Sequence, residues 1–285
     1  MKDICKLNFS NLQKINTNSN QSKVLESILD IFKITDIGII KIDSKDYVLK
    51  REFFTIHFPI LDKIYKFLKF EVNENIFYKK FEKNIVKYNF NKNIQLPIKY
   101  KICKKFNIYL FKKIQYNLNN TFLKRLNKNT FNNILIQSTF IIYFLNHKLN
   151  IYHNDISQVN KLRNFMINKN NKKTYLKLDN QKIEIKDYNV IIIDFGLFSK
   201  DFGFKNNLFY YKKNIKYLYL FEIKSELLIV IYLFLINYYH KKEINFKKLY
   251  LYIYNNIKNK SLKEFDKFIF ENINSIDKIL IEINN

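Results

Sequence analysis

The chain has 285 residues, 47% of them hydrophobic, enough for a sizeable core in one domain or in two packed lobes. It contains 3 glycines and 2 prolines, too few for the many tight turns of a sandwich, barrel or propeller. Lys and Arg number 50 against 25 Asp and Glu, a net charge of +25, which ordinarily points to nucleic acid or an anionic surface. Here the lysines are spread along nearly every segment with apolar positions between them, and Asn, Lys, Ile, Tyr and Phe all have A/T-rich codons. Much of the charge therefore reads as codon drift in an A/T-rich genome, such as that of a virus, an organelle or a parasite.

Residues 1 to about 30 are polar and Asn-rich and read as a loose arm leading into a short helix over residues 22–32. No long apolar stretch opens the chain, so no secretory signal is expected. The pattern changes at Gly38: Gly38 to Ile42 predicts a strand, Asp43 to Asp46 a turn, and Tyr47 to Lys50 a second strand. Residues 60–90 carry apolar positions such as Ile64, Phe67 and Leu68 at helical spacing. Gln95 to Ile102 and Asn107 to Ile114 read as strands, and Thr130 to Leu145 as an apolar helix. A charged, hairpin-like insert runs from Asn171 to Tyr188, and the text after about residue 215 reads as helix. The longest apolar run, Leu227 to Ile236, is too short to span a bilayer and reads as a buried core helix. Cys5 and Cys103 form no CxxC or Cys/His cluster, so neither a zinc site nor a disulfide framework is expected, and a reducing, intracellular compartment is the default.

Two segments place an acid at the end of an apolar stretch. One is Tyr152-His153-Asn154-Asp155, which follows the apolar helix; the other is Val190-Ile191-Ile192-Ile193-Asp194-Phe195-Gly196. A carboxylate directly after buried β-branched residues is delivered to the edge of a rigid sheet, and the glycine lets the backbone turn sharply. Two such acids with a nearby amide can position Mg²⁺ and a hydroxyl nucleophile for phosphoryl transfer. The bland alternative is an acid in a polar loop and another in a strand-ending turn.

In this order, the HNDISQVN and NFMI text followed by IIIDFG resembles the catalytic-loop and metal-loop pair of eukaryotic-type protein kinases, over roughly residues 36 to 240. The resemblance implies an α+β, two-lobed protein-kinase-like fold. It would comprise an N-terminal arm (1–30), a small β-rich N-lobe (about 31–115) and a larger helical C-lobe (about 116–285). It further implies ATP and Mg²⁺ as cofactors and a protein substrate. Asp155 would accept the substrate hydroxyl proton and Asp194 would hold Mg²⁺. The metal-binding Asn is Asn160 by family spacing, or Asn164 with a four-residue insertion, which we prefer because an apolar strand follows it at once. Lys50, in Tyr47-Val48-Leu49-Lys50, resembles the family's V-A-I-K lysine and would meet the ATP phosphates. Its partner would be Glu74, with Glu71 as the alternative. A second Asp-Phe-Gly, Asp201 to Gly203, has no apolar strand before it and is expected in the activation segment.

The chain also departs from the family. It has no Gly-rich loop, and Gly38 is at most its remnant. Asn154 stands where the family has Arg, and Ser157 stands two beyond Asp155, where Ser/Thr kinases usually carry Lys. The central apolar helix lacks its Asp, for which Glu222 or Glu226 would substitute. Such losses resemble the divergent kinases of large DNA viruses and of some parasites, and imply a cytoplasmic location (host cytoplasm, or virion if viral). Serine/threonine specificity is expected as the commoner class. A small-molecule kinase is disfavoured by the intact Asp-Phe-Gly. A catalytically inactive pseudokinase, or a binding module for an acidic partner or nucleic acid, is favoured by the missing glycines and opposed by the retention of Lys50, Asp155 and Asp194. The dispersed lysines predict only weak, non-specific binding to nucleic acid or anionic vesicles. A salt titration should abolish that binding by about 0.2 M; tight binding that survives it would make nucleic acid a principal partner.

Overall fold

The computed structural model describes residues 13–14, 35–42, 44–53, 74–104, 106–158, 161–196, 198–200, 225–238 and 261–272. Strands β1 (Gln13–Lys14), β2 (Thr35–Ile42), β3 (Lys45–Phe53), β4 (Lys99–Ile102) and β5 (Phe106–Lys112) form one five-stranded sheet in the order β1-β2-β3-β5-β4. Every neighbouring pair is antiparallel. The two-residue period of a strand sorts the β3 side chains between the faces. Leu49 joins Ile108 and Leu110 in a small apolar cluster, while Lys50 and Glu52 share the opposite face with Tyr109. Helix α1 (Glu74–Lys87) supplies Phe77, Tyr78, Phe81 and Ile85 to the main core, and Tyr78 meets the Tyr109 ring edge-on at 5.9 Å.

The remaining described elements gather around helix α3 (Lys128–Tyr143). They are β6 (Tyr116–Asn117), α2 (Asn120–Leu123), β7 (Ser157–Gln158), β8 (Lys161–Leu162), β9 (Phe165–Lys169), β10 (Thr174–Leu178), β11 (Gln181–Ile185), β12 (Tyr188–Ile192), α4 (Glu226–Tyr238) and α5 (Leu262–Glu271). Asn127 caps α3 by accepting the Thr130 N–H, and the helix widens at its end into a π turn over Phe144–Lys148. Phe131 stacks on Tyr238 of α4 at 3.8 Å and Tyr143 on Phe270 of α5 at 4.0 Å. The α3 helix is thus packed between the C-terminal helices and the three-stranded sheet β12-β9-β6.

A buried amide fixes α3 to that sheet. Gln137 Nε2 donates to Tyr188 O at 2.8 Å, and its Oε1 accepts the Val190 N–H at 2.9 Å. The segment after α1 is tied to the same strand: Gln95 N–H donates to Ile192 O and Ile192 N–H to Asn93 O. Strand β12 therefore leaves residue 192 held from two sides, and Asp194 follows two residues later.

Several expectations are corrected. Gln13 and Lys14 pair with Ile39 and Gly38, so part of the expected loose arm is an edge strand. Gly38 lies buried in the middle of β2 between Lys14 and Leu49. The strand expected from Gln95 begins only at Lys99, because Pro97 has no N–H to give a ladder. The hairpin expected in the insert is β10 with β11, and the strands expected after Asn164 and before Asp194 are β9 and β12. Cys103 is disulfide-bonded, which the spacing of two cysteines did not suggest. The short helix at 22–32, residues 60–73, Glu71, Asn160, the second Asp-Phe-Gly and Glu222 lie outside the described residues. No helix among the described residues is long and apolar enough to cross a membrane.

Gln137→Leu should leave a buried N–H and a buried C=O of β12 without their partner. We expect a loss of about 2 kcal/mol or more in folding stability, read as a lower urea midpoint at unchanged slope; an unchanged midpoint would show that the amide does not hold α3 to β12.

Candidate active site

Strand β3 places Lys50 on the inner face of the sheet, with 7% of the residue exposed. An ammonium so far from water needs partners, and two carboxylates supply them. Lys50 Nζ lies 2.8 Å from Glu74 Oε1 and 2.7 Å from Asp194 Oδ1. Glu74 is the first residue of α1, where the helix dipole favours an acid. Burial by itself would lower the Lys50 pKa, but the charges of Asp194, Glu74 and Glu52 outweigh it and hold the ammonium well above the ordinary lysine value. Burial pushes the Glu74 carboxyl up to about 8, against the pull of Lys50. Asp194 is driven the other way: burial opposes it, but Lys50 brings it below the usual carboxylate range.

The Asp194 loop is fixed by the side chain that follows. Phe195 is fully buried, stacks on Phe77 of α1 at 3.9 Å with the planes 8° apart, and lies 4.7 Å from the His153 ring. His153 Nε2 lies 2.9 Å from Ile193 O, and Asp155 N lies 3.3 Å from His153 Nδ1. Burial lowers the His153 pKa to about 4, so the ring is neutral near pH 7, with Nε2–H donating to the carbonyl and Nδ1 accepting. The imidazole thus links the Asp155 segment to the Asp194 segment.

Asn164 completes the junction. Its Nδ2 donates to Asp155 O at 2.8 Å and to Asp155 Oδ2 at 3.1 Å, while its own carbonyl accepts the Ile193 N–H at 3.0 Å. The extra residues between Asp155 and Asn164 make a small hairpin, β7 with β8, closed by Arg163 N–H donating to Ile156 O. The hairpin returns the chain to its starting point, so an amide nine positions along the sequence meets Asp155. Arg163 Nη1 lies 3.2 Å from Asp155 Oδ1. Burial raises the Asp155 pKa to about 6, while the Arg163 charge lowers it.

The backbone here is strained. Asn154, Asn164 and Asp194 have φ of 62°, 61° and 63°, a region that costs an L-residue roughly 1–2 kcal/mol. What holds the first of them is Glu226, at the start of α4. Its Oε2 accepts the His153 N–H at 3.0 Å and its Oε1 the Asn154 N–H at 2.8 Å. The Asn146 amide, oriented to suit its neighbours, adds a donor to Oε2 at 3.0 Å. Burial pushes the Glu226 carboxyl up to about 7, and the two backbone N–H groups pull it down. Asn154 donates to Ser199 Oγ at 2.9 Å, beside a two-way backbone pairing of Tyr152 with Ser199.

The structure therefore brings Lys50, Glu74, Asp155, Asn164 and Asp194 together and leaves Gly38 in the sheet. Four contributors were not singled out from sequence: Glu52, Arg163, Asn146 and Ser199. Glu52 is 5% exposed and accepts from the Tyr109 hydroxyl at 3.1 Å; the signal for it was its place two residues beyond Lys50, on the same strand face. Asp194 and Asn164 are the side chains here that could take part in holding a divalent cation. Asp194, kept ionised by Lys50, has a side chain that is 35% exposed. With Asn164 Nδ2 turned to Asp155, its Oδ1 is the atom left to act as a ligand. Among the described residues no three His, Cys, Asp or Glu side chains could cage an ion by themselves.

No family model matches the chain, and no curated protein does. Among solved structures it is similar to the kinase PK-1 of Cydia pomonella granulovirus, with 17% identity and a TM-score of 0.34. The match covers 63% of this chain and 57% of that one, so the chain spans little more than half of that kinase's length.

Glu226→Gln should replace one acceptor with a donor that faces a backbone N–H. Urea unfolding is expected to show a loss of about 1–3 kcal/mol, and Glu226→Ala at least as much. Wild-type stability in both variants would mean that the carboxylate does not hold the 153–154 turn.

Proposed function

We propose that the protein is an ATP-dependent protein kinase, with serine/threonine hydroxyls as its substrates. The observation that carries this reading is the position of Lys50 Nζ, within 2.8 Å of Glu74 and 2.7 Å of Asp194, residues 24 and 144 positions away. Lys50 would meet the ATP phosphates, held there by Glu74. Asp194 and Asn164 would hold Mg²⁺, which when bound neutralises charge on the phosphate oxygens. Asp155 would orient the substrate hydroxyl and accept its proton. The elevated pKa of Asp155, about 6, suits a group that takes up a proton near neutrality. The reading also includes the two-lobed arrangement, with boundaries near residues 31 and 115, and a cytoplasmic setting (host cytoplasm or virion if viral).

Purified protein with Mg²⁺ and labelled ATP should label itself or an added protein substrate, acidic substrates being favoured in encounter rate by the +25 charge. Asp155→Asn and Asp194→Asn should each lower the rate on the order of 10²–10⁴-fold, and Lys50→Met should lower it steeply as well, with circular dichroism unchanged. Full activity in Asp155→Asn or Asp194→Asn would refute the assignment. Nucleotide binding with no turnover in the wild type would make the protein a pseudokinase.

A further inference from the structure

Electrostatic accounting around Lys50 leads to a residue that neither the motif resemblance nor its spacing singles out. The transferable end of a nucleoside triphosphate carries several negative charges, and the site must meet them with cations. Lys50 is already bonded to two carboxylates, and Glu52 adds a third buried acid nearby. Two positions beyond Asp155 the chain has the uncharged Ser157. The Asp155 carboxylate is nonetheless matched by a cation. Arg163 Nη1 lies 3.2 Å from Asp155 Oδ1, and its side chain keeps 29% of its surface exposed. The Arg163 charge is felt at both acids of the site, since it lowers the pKa of Asp155 and of Asp194.

The geometry that puts it there is particular to this chain. The β7–β8 hairpin is closed by Arg163 N–H donating to Ile156 O. The arginine backbone is thereby pinned one residue from Asp155, and the next residue, Asn164, is pinned to Asp155 itself. A guanidinium presents its N–H groups in a planar fork that can bond a carboxylate and a phosphate oxygen together.

We propose that Arg163 is a further catalytic residue, the cation that contacts the terminal phosphoryl group of the bound triphosphate and bridges it to Asp155. This rests on the kinase reading above. In the transfer itself, the bond between the terminal phosphorus and its bridging oxygen breaks and one to the substrate oxygen forms. The hydroxyl proton passes to Asp155 and the nucleoside diphosphate leaves. Arg163 gains and loses no proton; it stabilises charge on the non-bridging oxygens.

The test compares ATP with ADP, each with Mg²⁺, by calorimetry on the full chain. Wild type should bind ATP more tightly than ADP. Arg163→Gln should weaken ATP binding on the order of tenfold or more, the worth of one charge-assisted hydrogen bond, and leave ADP binding unchanged. Unchanged ADP binding also shows that the fold is intact. If Arg163→Gln does not fold, phenylglyoxal modification of the wild type, located by mass spectrometry, gives the same answer: ATP should protect Arg163 and ADP should protect it much less. A variant with the wild-type ratio of ATP to ADP affinity would overturn the proposal while leaving the kinase reading in place, and so would equal modification with and without ATP. A wild-type protein that binds neither nucleotide would overturn both.

Discussion

The buried ammonium of Lys50 is the constraint on which the rest of the site depends. A charge so removed from solvent is tolerable only when paired and hydrogen-bonded, and its partners come from a helix start and from a loop far along the chain. Meeting that demand fixes three things together: the β3 strand, the first turn of α1 and the loop after β12. The stacking of Phe195 on Phe77 reinforces the same junction with apolar contact. Loss of either carboxylate would leave the ammonium short of a partner, so the junction behaves as a unit.

A second constraint is the strained turn at residues 153–155. Asn154 adopts a left-handed φ, and the two backbone N–H groups there point into the core, where Glu226 receives them. The acid sits at the beginning of the most apolar helix among the described residues, so the hydrophobic packing of α4 delivers a carboxylate to the polar turn it must hold. Asn146, His153 and Asn164 then distribute hydrogen bonds among three separate segments. A network of this kind rigidifies when fully satisfied, and it places the Asp155 carboxylate with little freedom.

The composition solves its own difficulty. With 3 glycines in 285 residues, the chain lacks the usual residue for positive φ. Among the described residues every positive φ falls on Ser, Asn or Asp: Ser44, Asn89, Asn150, Asn154, Asn164, Asp179, Asp187 and Asp194. Asn and Asp tolerate the left-handed region better than other side chains because a short polar group can bond locally. The Asn-rich text is therefore more than codon drift, since at Asn154 and Asn164 the conformational tolerance and the side-chain hydrogen bond are both used.

The sequence by itself determined the local elements and the order of the chemistry. The run from Tyr47 to Lys50 after a polar turn marked β3, the apolar text from Thr130 marked α3, and the β-branched run before Asp194 marked the strand that delivers it, because local pattern is a property of a few adjacent residues. The pairing of Lys50 with Glu74 was also legible, through spacing and resemblance. Tertiary structure alone decided the rest. Residues 13 and 14 became an edge strand because they pair with Ile39 and Gly38. Glu52 became a buried acid because the face of β3 that carries Lys50 is covered. Arg163 reached Asp155 because an inserted hairpin folds back on itself. Each of these turns on which surfaces meet across tens of residues, and in a chain where Lys and Asn occur in nearly every segment, local text does not distinguish the one that is buried from the many that are solvated.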